Sequence, residues 1–146
     1  MRFADPAKAL AAGGILVGAA ALAAAAGAPK AEFLGVWRGE SICVKSPEFP
    51  ACQDESVEYD VYDAAGDKVH VSAYKFVAGE KILMGEMDFV YDEKLGAWTS
   101  EFQSARYHGL WTFAVSGATL TGTLLDLPSK HKVRDILARH DPTPAK

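Results

Sequence analysis

Along most of this chain, hydrophobic and polar residues alternate with a period of two, in short runs broken by glycine, proline and aspartate. In residues 56–62, Val57, Tyr59 and Val61 share one face and Glu58, Asp60 and Tyr62 the other. In residues 82–91, Leu83, Gly85, Met87, Phe89 and Tyr91 fall together, opposite Glu86 and Asp88. The pattern predicts eight strands, over residues 33–44, 56–62, 68–77, 82–91, 97–103, 107–115, 119–125 and 132–139. Residues 45–50 carry two prolines and read as a loop; residues 63–67, 78–81 and 92–96 read as tight turns. No stretch after residue 30 has a convincing helical period. Residues 135–140 would make one helical turn but fit a final strand as well.

Eight short strands joined by hairpins predict an all-β fold, an eight-stranded up-and-down antiparallel barrel. Closing the sheet removes exposed edges and leaves an interior wide enough for side chains or one small ligand. An immunoglobulin-type sandwich would separate its two cysteines widely, with a Trp between them. Here Cys43 and Cys52 are local, so the barrel is preferred.

The N-terminal stretch has a different character. Arg2 and Lys8 precede an Ala-, Gly- and Leu-rich run over residues 9–26, followed by small residues. This is the order of a cleaved signal peptide, with the cut expected after Ala26; a retained membrane anchor is the competing reading. Residues 27–32 are then a short linker, 33–140 the single barrel domain and 141–146 a frayed tail. The whole chain carries a formal charge of −4. Losing residues 1–26 removes two of the 15 basic and one of the 19 acidic residues, which moves the charge to −5. A mildly acidic chain without a basic run argues against nucleic acid and against binding to anionic membranes; with cleavage no stable membrane anchor is expected, which suits a periplasmic or secreted protein. Two cysteines beyond an export signal predict a Cys43–Cys52 disulfide.

All three tryptophans sit in the sequence Gly-x-Trp: Gly35-Val36-Trp37, Gly96-Ala97-Trp98 and Gly109-Leu110-Trp111. On a strand, a glycine two residues before a Trp shares its face and leaves room beside the indole. With eight strands and such a motif opening the first, the chain resembles the lipocalins and the wider calycin superfamily. The resemblance implies that Trp37 plugs the closed end of the barrel and that a basic residue of the last strand packs on it. Arg134 is the best match, and Arg139 a poorer one. It also implies that the Cys43–Cys52 loop lies at the open end, where Phe49 at its tip would act as a lid. The lipocalin Thr-Asp-Tyr motif has no clear counterpart, and the chain is short for that family, with no evident flanking helix.

The interior expected from the alternation includes Val57, Leu83, Phe102 and Phe113, with Tyr59, Met87, Phe89, Trp98, Tyr107 and Trp111 as candidate pocket residues. Glu58, Asp60, Glu86 and Asp88 are expected on the solvated outer face. Catalytic patterns are missing: no Gly-x-Ser-x-Gly elbow, no phosphate-binding glycine loop, and no metal-ligand spacing among His70, His108, His131 and His140. The reading is therefore a non-enzymatic protein without cofactor or metal, binding a small hydrophobic ligand. The alternative is an interaction module or hydrolase inhibitor of the cell envelope, acting on a protein partner through the Cys43–Cys52 loop.

Overall fold

The computed structural model describes residues 28–143. The expected signal peptide over residues 1–26 and the last three residues of the expected tail lie outside them. The described chain opens with a short helix, α1 (Ala28–Phe33), and continues as β1 (Gly35–Cys43), β2 (Glu55–Asp63), β3 (Lys68–Val77), β4 (Glu80–Asp92), β5 (Ala97–Gln103), β6 (His108–Ser116), β7 (Thr119–Asp126) and β8 (Lys132–Asp141). Each strand pairs antiparallel with the next, and β8 returns to β1, closing an eight-stranded up-and-down barrel. This is the expected fold.

The expected linker is where the chain departs first. The pattern makes residues 27–32 a short linker and Phe33 the start of a strand; instead Ala28–Phe33 is helical. Six residues are too few to show a period and too few to hold a helix in water alone. Burial supplies what length does not. Phe33 is fully enclosed among Phe89, Trp98 and Phe113. Lys30 ties the helix to the β2–β3 turn, donating to Asp63 Oδ1 at 2.7 Å and to the carbonyls of Ala64 and Gly66. The far end differs as well: β8 runs to Asp141, which pairs with Val36 in register and meets the Arg38 guanidinium.

One buried cluster runs from Phe33 of α1 up to the barrel's middle. Trp37, Val57, Tyr59, Val61, Val69, Val71, Phe89, Trp98 and Phe113 are all buried there. Trp37 is fully enclosed, and its Nε1 donates to the Phe33 carbonyl at 2.8 Å. The floor of the barrel is thus an indole held by a helix end.

One bulge changes what β4 presents. The register shifts between Ala73 and Tyr74 of β3, where Ala73 faces Gly85 but Tyr74 faces Leu83. The extra residue, Met84, reverses the phase of the strand beyond it. Leu83, expected inside, points outward at 51% exposure.

Candidate ligand cavity

Above the packed floor, at the end where β1 finishes in Cys43, the barrel interior is not filled. A cavity of about 260 Å³ is lined by Ser41, Glu55, Tyr59, Val71, Ala73, Met84, Gly85, Met87, Trp111 and Arg134. The strands divide the chemistry. β3, β4 and β6 supply Val71, Ala73, Met84, Met87 and Trp111, an apolar wall. β1, β2 and β8 supply Ser41, Glu55, Tyr59 and Arg134, a polar one. Gly85 leaves a gap in the apolar wall: a Cβ there would meet nothing within 4 Å.

Arg134 organises the polar wall. Its Nη1 donates to Ser41 Oγ at 3.0 Å and to the Gln53 carbonyl at 3.2 Å, and lies 3.5 Å from Glu55. Glu55 also meets Lys75 at 3.2 Å. Burial pushes the Tyr59 hydroxyl up, an effect Arg134 partly opposes, so it stays a neutral phenol at any ordinary pH. The wall therefore offers one guanidinium, one carboxylate and neutral hydroxyls to whatever enters.

The expected pocket residues fall into three groups. Tyr59, Met87 and Trp111 line the cavity. Phe89 and Trp98 lie lower, packed around Phe33. Tyr107 stands just before β6, between Phe102, with which it stacks at 5.4 Å, and Phe49, which meets it edge-on at 5.9 Å. Its hydroxyl is buried without a partner, and burial together with the Asp126 charge raises its pKa. Phe49 is half-buried on this stack rather than free at the loop tip. The loop itself is closed by the Cys43–Cys52 disulfide, as expected.

Arg134 corrects a further expectation. It does not pack on Trp37: in the β1–β8 register it pairs with Cys43, at the opposite end of the strand. Trp37 pairs with His140, whose ring meets the indole edge-on at 5.0 Å. Gly35 makes room for that imidazole and not for the indole, since a Cβ would lie 2.7 Å from His140 Nε2. The basic residue sought at the floor is at the cavity instead. That it faces inward follows the resemblance, but its height depends on register, which a single strand's sequence does not contain.

The outer wall holds a second correction. Glu58 and Asp60 face outward, as expected, yet both are buried, at 3% and 2% exposure. Lys81 from the β4 hairpin crosses over them, and Arg38 and Asp141 continue the network. Burial pushes the Glu58 carboxyl up, but hydrogen bonds from Lys81 and Arg38 outweigh it and hold the pKa below its usual range. Asp60 moves the other way: burial and its hydrogen bond with Glu58 raise it, and its Oδ1 has no partner. Glu86 and Asp88 remain exposed around His70, whose Nδ1 lies 2.8 Å from Asp88. None of the four acids lines the cavity.

Among the described residues, no group of three His, Cys, Asp or Glu side chains is placed to hold a metal ion, and no helix is long and apolar enough to cross a membrane. No protein-family model matches the chain, and no curated protein matches it. What the geometry establishes is a closed eight-stranded antiparallel barrel compatible with a lipocalin-like fold, with a two-sided cavity at its disulfide end.

Proposed function

We propose that this protein is a lipocalin-like binding protein, periplasmic or secreted, that holds a small, largely apolar molecule with one polar end inside the barrel. The observation that carries this reading is the division of the 260 Å³ cavity into an apolar wall and a polar wall centred on Arg134. Its size lies just below the ~300 to 1,000 Å³ of most ligand pockets, which restricts it to a small occupant, and its mix of apolar surface with few polar groups is typical of them. The disulfide suits the oxidising compartment that export implies. Binding is favoured over catalysis because the Ser41 hydroxyl in the cavity accepts from a guanidinium and has no general base as a hydrogen-bond partner. The reading as a loop-borne interaction module has less support, since Phe49 is already spent on Tyr107.

Native mass spectrometry of the protein purified from an exporting host tests the proposal. A co-purifying adduct, or a change in Trp fluorescence on titration with medium-chain fatty acids or apolar dyes, is the expected result, because Trp111 lines the cavity. No adduct and no spectral change across the panel would refute it.

A further inference from the structure

The seam between β4 and β5 is closed only at its foot. The two strands pair at Val90 with Thr99, Tyr91 with Trp98 and Asp92 with Ala97, and nowhere above. Beyond those pairs β4 is bonded on one side only, to β3 from Glu80 to Val90, and β5 on one side only, to β6. Residues 80–89 therefore present a free strand edge, and residues 100–103 a shorter one. A long free edge is a template for another strand, and proteins usually cover or blunt one.

We propose that this edge of β4 is a docking site for an extended segment of another protein, one that alternates apolar and basic residues. Two features beside the edge select that chemistry. The inner side opens toward the cavity, where Met84, Met87 and Trp111 would receive alternate apolar side chains. The outer side carries carboxylates on both strands: Glu86 and Asp88 on β4, beside His70, and Glu101 on β5, 2.6 Å from His108, have side chains 53%, 54% and 61% exposed and leave oxygens free toward the edge for a stronger cation than imidazole. The cation on this stretch of β4, Lys81, is already engaged by Glu58 and Asp60. Side chains of an added strand point alternately to the two sides, so backbone pairing would supply affinity while apolar-in, basic-out alternation supplies specificity.

A second copy of this chain would bring an acidic edge against an acidic edge: antiparallel pairing of two β4 edges centred on Met84 sets Glu80 against Asp88, and centring it on Leu83 sets Glu80 against Glu86, while centring it on Gly85 avoids both clashes but leaves no basic residue opposite Glu86 or Asp88. Like charges directly opposite destabilise a pair of strands.

The test uses a blocked heptapeptide of alternating Lys and Val, and hydrogen exchange of the protein with and without it at low ionic strength. Amides of residues 80–89 should gain protection, and a peptide with Glu in place of Lys should give none. The exposed double variant Glu86→Lys with Asp88→Lys should weaken the basic peptide by about tenfold and admit the acidic one, since the selecting charge is reversed. A basic peptide N-methylated at alternate residues, which cannot complete the ladder, should not bind. Protection elsewhere or none at all, equal binding of both peptides, an unchanged double variant, or full binding of the N-methylated peptide would overturn the proposal. Protection of residues 80–89 that grows with protein concentration alone, with a dimer in sedimentation, would overturn it in favour of a second copy.

Discussion

At the scale of single residues, the three Gly-x-Trp sequences look alike and do different things. Gly35 yields to the His140 ring, Gly96 takes a left-handed turn conformation at φ 61°, and Gly109 lies beneath Phe102 and Tyr107. Only Trp37 is fully enclosed and anchored by its Nε1. Trp37→Ala should therefore cost ~3–5 kcal/mol in chemical denaturation, as a large-to-small core change does; a cost below ~1 kcal/mol would mean the floor does not depend on it. The outer-wall acids make a second residue-scale prediction. Asp60 has a raised native pKa, so below its usual range it is protonated in both states and carries no penalty. As pH rises, the unfolded chain loses that proton first, and the native state loses stability through its own higher pKa. Glu58, held below its usual range, acts oppositely: its stabilisation is present above the ordinary glutamate pKa and lost as pH falls through the native value. Asp60→Asn should thus raise the melting temperature relative to the parent at pH 7 and lose most of that advantage near pH 3. An advantage that is equal at both pH values would show that ionised Asp60 is not the costly form.

At the scale of elements, alternation recovered every strand, with β3 and β5 at their observed bounds. It missed α1, because the helix is stabilised by Phe33 inside the barrel and by Lys30 on the β2–β3 turn, contacts that do not exist in the local sequence. It also missed the phase change in β4, since a bulge is set by the partner strand, and so expected Leu83 inside where Met84, itself 43% exposed, is the residue that borders the cavity. The disulfide loop was legible from two cysteines close in sequence. Reducing it should destabilise the fold by about 2–3 kcal/mol in the chain-entropy account, with both thiols blocked to alkylation beforehand. Free thiols in the native protein would contradict the observed bond.

At the scale of the whole molecule, the barrel is asymmetric: a floor plugged by Phe33 and Trp37, with the exposed His140 ring against the indole, and a hollow upper half beneath the disulfide end. Gly85 gives a direct handle on that hollow. Gly85→Leu places a side chain in open space, so it should leave melting nearly unchanged while abolishing the Trp fluorescence response to apolar ligands. A variant that folds and still responds would place ligand binding elsewhere. The sequence by itself determined the all-β class, the number and order of strands, the disulfide and the burial of Trp37, because period-two alternation and short hairpins are local properties. Only the tertiary structure decided that Arg134 belongs to the cavity and His140 to the floor, that Glu58 and Asp60 are covered, and that the β4–β5 seam stays open. Each of those depends on register between strands, and one residue of slip or one bulge moves a side chain to another height or another face without changing the pattern that predicts the strand.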